Sequence, residues 1–296
     1  MQRSAVGTGG GAPTVLVLGA SGMLGNAVLR YFAASPAFTV KGSVRSAAAM
    51  RLFPRELHGL LVNCPNVESA DALLDLFDRV RPDVVINCIG VVKQLASADD
   101  PLTALPINSL LPHRLVHVCR LAGARLIHVS TDCVFAGTRG MYREADPPDA
   151  RDLYGLSKFL GEVDDAHAVT LRTSIIGPEL EGNHGLLGWF LAQSGRVKGY
   201  ARAVFSGVPT VELARVIRDF VIPNAQLRGV QHVSAEPINK YDLLVLIAQA
   251  YGVATGIDPD SRLVIDRSLD STAFRERTGY APPPWPQLVQ QMRDFG

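Results

Sequence analysis

Five short runs of apolar, mostly branched residues punctuate the first part of the chain: Thr14–Leu18 (TVLVL), Phe38–Val44, Asp83–Ile89 (DVVINCI), Leu126–Ser130 and Val169–Thr173. Runs of this length closed by Gly or polar residues predict buried strands. Between them the apolar positions recur with helical spacing. Helices are expected at Asn26–Ala34, stopped near Pro36, and at Val67–Val80, ending before Arg81-Pro82. Two more are expected at Ile107–Ala122, with Gly123 as C-cap, and at Tyr154–Val163. Apolar strands alternating with amphipathic helices predict an α/β fold, a doubly wound parallel sheet covered on both faces. Glu144–Asp152, rich in Pro and Asp, reads as a loop.

After Ile176 the pattern loosens. Gly and Pro become frequent (GPELEGNHG), and helical spacing returns at Thr210–Val221, Lys240–Tyr251 and Gln287–Arg293. The expected organisation is a disordered tail at 1–12 and a nucleotide-binding domain at 13–176, to which segments around 208–234 return. A smaller C-terminal substrate-binding lobe is expected from 177–207 and 235–296.

Composition narrows the function. The 296 residues are 47% hydrophobic with a formal net charge of +1, which points to neither a nucleic-acid nor a membrane surface. No apolar run approaches the roughly 18 residues of a membrane span, and the first residues lack the apolar stretch of a secretory signal. Cys64, Cys88, Cys119 and Cys133 show no CxxC and no metal spacing with His, consistent with reduced thiols in a cytoplasmic protein.

The first strand runs into Gly19-Ala20-Ser21-Gly22-Met23-Leu24-Gly25 and then a helix. Glycines there let the backbone approach a pyrophosphate, and the helix N-terminus offers free N–H groups, which makes the fold a Rossmann type. The acidic residue that would hold a ribose 2′-hydroxyl is missing. Gly42-Ser43-Val44-Arg45-Ser46 stands there instead. A guanidinium and two hydroxyls suit a 2′-phosphate, so NADP(H) is favoured over NAD(H); an ordinary surface arginine is the alternative. Strand-end geometry puts Asn63-Cys64 and Cys88-Ile89-Gly90 beside the adenine and its ribose. At the other end, Tyr154 and Lys158 fall at i and i+4 of one helix, where an ammonium beside a phenol lowers the phenol pKa and permits acid–base chemistry.

GASGMLG, NCIG, STD, YGLSK and LRTSIIGPE in this order resemble an extended short-chain dehydrogenase/reductase, and VSTDCVFAG with YGLSK is most similar to the dTDP-4-dehydrorhamnose reductase family. The resemblance implies NADPH-dependent reduction of the 4-keto group of a nucleotide-diphosphate-linked 6-deoxysugar. Thr131 would bond the substrate carbonyl, Tyr154 would protonate it, and Lys158 would hold the nicotinamide ribose. Gly19, Ser21, Gly22, Met23 and Leu24 would meet the pyrophosphate, with Thr173 and Ser174 near the nicotinamide. Asn108 would support the active-site geometry. Substrate contacts are expected from Val92, Asn108, Asp132, Cys133, Arg202 and Phe205, with Lys93 and Gln94 either facing the substrate or lying on the surface. Asn63 departs from the Asp common at its position. Asn26-Ala27-Val28 stands where metal-binding relatives carry a Glu, so no metal is expected. The partners expected are the nucleotide-diphosphate sugar and, for an assembly, a second copy of the chain in a homodimer.

Cys133 follows Thr-Asp where dehydratases of this superfamily carry Glu and plain reductases carry Tyr. GDP-fucose synthase carries a Cys there as an epimerisation base. Cys133 therefore either packs beside a reductase site or makes the site an epimerase or epimerase-reductase, with His184 as its nearest candidate acid. A non-catalytic NADP-binding regulatory subunit is the alternative from another class.

Overall fold

The computed structural model describes residues 11–92 and 99–296. Residues 1–10 of the expected tail, together with Lys93 and Gln94, lie outside the described residues.

The strands expected from the apolar runs form as β1 (Thr14–Leu18), β2 (Thr39–Val44), β4 (Val84–Asn87), β5 (Arg125–Thr131) and β6 (Ala168–Thr173), with β3 a short segment at Leu61–Asn63. An edge strand, Gly229–His232, arrives from far down the chain and pairs with β6. All seven are parallel, in the order edge-β6-β5-β4-β1-β2-β3. The order reverses between β1 and β4, and a sheet of this kind opens a crevice at the carboxyl ends of the strands beside that point.

Each face carries its own core. Val15 and Val17 of β1 face a cluster holding Val28, Phe32, Leu213 and Met292, while Leu16 and Leu18 face Leu73, Leu76 and Leu115. Alternate residues of a strand point to opposite faces. A run that is apolar at every position is therefore what a strand covered on both sides requires.

The helix after β1 is α1 (Met23–Ala33). Its close seat on the sheet depends on Gly25, where a Cβ would lie 2.1 Å from the carbonyl oxygen of Gly19. The helix expected at 107–122 differs from expectation. Helical structure starts at Pro101, passes through a π-helical stretch at Leu105–Leu110 and continues as Leu111–Ala122 to Gly123, which takes the left-handed conformation. Pro106 has no N–H to give the ladder, and the wider turn absorbs the interruption instead of ending the helix. That turn buries Asn108 and Ser109. The helix expected at Thr210–Val221 likewise passes from an α segment, Thr210–Val216, into a π turn, Ile217–Val221.

Beyond β6 the strands are short. Ile175–Ile176 pairs with Val208–Pro209, Ala203–Phe205 with both Ile238–Asn239 and Ile265–Asp266, and Arg196–Tyr200 with Gly256–Asp260. Arg125, at the start of β5, donates to the carbonyls of Val221, Asn224 and Leu227 and so ties this later chain to the sheet. Among the described residues no helix is long and apolar enough to cross a membrane.

Candidate active site

A cleft of about 690 Å³ opens at the carboxyl ends of the sheet strands. Gly22, Met23 and Leu24 line one part of it. The N-cap of α1 is Gly22, which offers no side-chain hydrogen bond, and the first turn of the helix carries no acidic residue. Its leading N–H groups and the positive end of its dipole are thus left for an anion. Gly19 makes the preceding turn at φ 78° and donates its N–H to Ser43 Oγ at 3.2 Å. This loop fits the pyrophosphate of a dinucleotide. Ser21 sits within it, half-buried.

The end of β2 is less generous than expected. Ser43 is buried and its hydroxyl is engaged with Gly19, while Ser46 Oγ caps the short helix Ala47–Met50 by accepting from Ala49 N. Of the two hydroxyls expected for a 2′-phosphate, one is held inside the loop and the other in a cap. Arg45 remains exposed beside them. The next strand end also differs. Asn63 is exposed and Cys64 is buried in the core with Leu16 and Leu18, and neither lines the cleft. Apolar packing is the preferred environment of a small thiol. Cys88, Ile89 and Gly90 do line it, and burial pushes the Cys88 thiol up to about 12.

β5 ends in Thr131, and Tyr154 and Lys158 project from the helix Leu153–Leu160; all three line the cleft. Asp152 caps that helix by accepting from Gly155 N at 2.9 Å. Gly155 lets it sit on β5, since a Cβ there would lie 2.4 Å from the carbonyl oxygen of Cys133. Thr131 Oγ1 accepts the N–H of Cys133 at 3.1 Å and donates to Asp132 Oδ1 at 3.2 Å. Tyr154 and Thr131 thus stand in the same cleft wall.

The electrostatics reverse one expectation. Tyr154 is raised above the ordinary phenol value, first by burial and then by Cys133 and Asp132. The ammonium of Lys158 instead donates to the carbonyl of Val129 at 2.8 Å, and burial lowers its own pKa from 10.5 to about 8. Helix spacing puts the two residues on one face, but burial outweighs their proximity. The folded chain thus releases the Lys158 proton before the unfolded chain does. Between about pH 8 and 10.5 the unfolded state binds more protons, and this group makes stability rise with pH. Urea unfolding at pH 7 and pH 10 should show that rise reduced in Lys158→Met relative to wild type; equal pH dependence in the two proteins would refute the assignment.

Asn108 does not reach the cleft, contrary to its expected substrate contact. It is buried, accepts from Val91 N, and donates to Val91 O and Ser157 Oγ. The π turn aims it there, so that it joins the loop after β4 to the helix that carries Tyr154 and Lys158. Arg202 is also a correction. It is exposed and does not line the cleft; its backbone carbonyl accepts from Ile265 N in the adjoining strand. Val92 and Phe205 do line it, the latter packed on Trp285 with ring centroids 5.7 Å apart. Leu187 and Phe190 are core residues, whereas Leu186 faces the cleft.

Asp132 and Cys133 stand in the same wall. Burial raises the Asp132 carboxyl, opposed chiefly by Arg267 and then by the adjoining Cys133. His184 lines the cleft from an exposed loop, while the acid next to Cys133 is its neighbour Asp132. Thr173 and Ser174 lie at the end of β6, also on the cleft. Glu179, Lys240 and Arg267 line it too and were not expected. Glu179 closes the LRTSIIGPE stretch, whereas Lys240 and Arg267 belong to no local motif and only the folding of the later chain over the sheet brings them in.

Behind this wall lies a buried ionic network. Glu162 Oε1 accepts from Ser130 Oγ at 2.8 Å and from Arg172 Nε at 2.7 Å, and Glu162 Oε2 accepts from Arg172 Nη2 at 2.6 Å. Arg172 also lies over the Phe135 ring at 5.1 Å and contacts His232 Nε2 at 3.2 Å. Among the described residues no group of three or more His, Cys, Asp or Glu side chains is arranged to hold a metal.

The model of the RmlD substrate binding domain matches residues 13–293 of this chain. The chain belongs to that family. It is similar to methionine adenosyltransferase 2 subunit beta of Xenopus laevis, with 28% identity over 92% of this chain and 79% of that protein. It is also similar to a dTDP-4-dehydrorhamnose reductase of Streptomyces griseus, with 34% identity over 51% of this chain and 44% of that one. Among solved structures, a dTDP-4-dehydrorhamnose reductase from Bacillus anthracis in complex with NADP superposes with a TM-score of 0.77 at 20% identity, over 95% of this chain and 99% of that one. The family, with the sheet order and the YGLSK helix, makes this chain an NAD(P)-dependent oxidoreductase of the extended short-chain dehydrogenase/reductase type.

Proposed function

We propose that the protein uses NADPH to reduce the 4-keto group of a nucleotide-diphosphate-linked 6-deoxysugar. The observation that carries this reading is the convergence of Thr131, Tyr154 and Lys158 on one wall of the cleft that also holds the glycine loop. Bound cofactor supplies the hydride. The chain's part is to hold the carbonyl and give it a proton. The raised Tyr154 keeps its proton at neutral pH, the form a reductase acid needs. Thr131, whose hydroxyl can turn from Asp132 toward a carbonyl oxygen, orients the acceptor. Lys158, fixed by Val129, stands ready for the ribose hydroxyls. Asp132 is not followed by a Glu, which speaks against dehydration.

Preference for NADPH rests on Arg45 at the exposed end of β2. Arg45→Asp should weaken NADPH binding by about 10-fold or more, the scale of a lost charge-assisted contact, and leave NADH binding unchanged or tighter. Equal loss for both cofactors would remove Arg45 from the 2′-phosphate.

Mixing the protein with NADPH and a dTDP- or UDP-4-keto-6-deoxyhexose tests the activity: loss of the dihydronicotinamide absorbance supports it. Two other readings have an observation behind them. Similarity to methionine adenosyltransferase 2 subunit beta along most of the chain favours a regulatory NADP-binding role, which binding without oxidation would support. The thiol of Cys133, next to Asp132 in the cleft wall, favours an epimerase step. The same assay in deuterated water, with wild type and Cys133→Ser, reads exchange at the carbons flanking the carbonyl. Unchanged exchange in the variant removes the thiol from the chemistry.

A further inference from the structure

The end of β5 joins the cleft wall to the ionic network behind it. That strand continues past Asn87 of β4, which pairs with His128, through Val129, Ser130 and Thr131. Two consecutive residues there receive two side chains from one segment. The Val129 carbonyl takes the Lys158 ammonium at 2.8 Å, and Ser130 Oγ donates to Glu162 Oε1 at 2.8 Å. Glu162 comes four residues after Lys158, just past the end of that helix, at the spacing that brings side chains together. Its carboxylate is held from the far side by the Nε and Nη2 of Arg172. Arg172 is itself fixed. His232 turns Nδ1 to the carbonyls of Tyr142 and Asp270, so the hydrogen sits there and Nε2 is left to accept from Arg172 Nη1.

Lys158 is 5% exposed. An ammonium so enclosed needs a counter-charge to remain one. The loop after β4 offers it the Cys88 thiol, β5 offers His128, and its own helix offers Tyr154. Burial pushes the thiol and the phenol up and the imidazole down, so all three are neutral at pH 7. Glu162 is the carboxylate that supports the charge against burial. It thus serves two cations, Arg172 by contact and Lys158 through space.

We propose that Glu162 is a positioning residue for the reduction: gripped by Ser130 and Arg172 behind the cleft wall, its carboxylate is the counter-charge of the Lys158 ammonium. The effect on turnover rests on the reductase reading, whereas the charge on Lys158 can be followed without turnover.

The test is an NMR titration of the full chain carrying 13C-labelled lysine, with the Lys158 Cε resonance assigned by its loss in Lys158→Met. Glu162→Gln keeps the shape but removes the counter-charge and leaves Arg172 uncompensated. The Lys158 midpoint should then fall by about one pH unit, or about 10-fold in proton affinity. Arg172→Met bares the carboxylate toward Lys158, and the midpoint should rise by a similar amount; Arg172→Lys should return it toward wild type. A merely structural brace behaves otherwise: loosening the wall admits water and raises the midpoint in both variants. An unchanged or raised midpoint in Glu162→Gln therefore overturns the proposal. Should that variant fail to fold, the double variant Glu162→Gln/Arg172→Met leaves no naked charge and should still lower the midpoint; a rise there overturns the proposal equally. With NADPH and a keto sugar, the alkaline limit of kcat should move with the midpoint, down in Glu162→Gln and up in Arg172→Met. Midpoints that shift as expected in a protein that oxidises NADPH with no keto sugar would sink the reductase reading alone.

Discussion

Tyr154→Phe should lower kcat for keto-sugar reduction by about 10²- to 10⁴-fold, the usual worth of a positioned proton donor. NADPH affinity should change little, because the cofactor loop lies on Gly22, Met23 and Leu24 and the ring is preserved. KM should also hold, since Thr131 still orients the carbonyl. The split between kcat and Kd is the informative part. A variant that lost cofactor binding would mean that the phenol is a structural post in the cleft wall it shares with Thr131. A variant with undiminished kcat would assign the proton to another group, and Asp132 and Cys133 would be the candidates at hand. Raised by burial, the phenol stays protonated through neutral pH, so activity should persist on the alkaline side until Lys158 loses its charge near pH 8.

The second large effect concerns stability. Arg172→Met leaves the Glu162 carboxylate, 6% exposed, without its main partner, and Arg172 itself is only 3% exposed. Breaking a buried pair from one side typically costs about 3–5 kcal/mol, because a charge is left unpaired in the interior. In thermal melts this would lower the midpoint by on the order of 10 °C. The double variant Glu162→Gln/Arg172→Met should recover part of the loss, since no naked charge remains. A single variant within about 1 kcal/mol of wild type would show that water or His232 already satisfies Glu162.

Much of this could be read along the chain, for identifiable reasons. The strands are contiguous apolar runs because both sheet faces are covered, and Gly19 to Gly25 and Tyr154 to Lys158 are local spacings that folding preserves. Properties that depend on distant packing could not be read. Pro106 looked compatible with a helix starting after it, yet a π turn carries the helix through. Arg202 carries the charge a substrate diphosphate would need but stays on the surface, while the cations that reach the cleft are Lys240 and Arg267. Cys64 and Asn63 ended a strand as expected, but one thiol turned into the core and the amide faced solvent. The Tyr154 shift went the other way because burial, invisible in the spacing, outweighed the neighbouring ammonium.

The edge strand Gly229–His232 has a consequence for how the chain is made. Until those residues leave the ribosome, β6 has no neighbour on its outer side. The nascent sheet must wait with an open, hydrogen-bond-hungry border, and borders of that kind recruit other chains. The ionic network that seals it, from Ser130 through Glu162 and Arg172 to His232, likewise closes only with the arrival of His232. Synthesis of this protein thus carries a vulnerable interval set by its topology, during which a chaperone has reason to hold it.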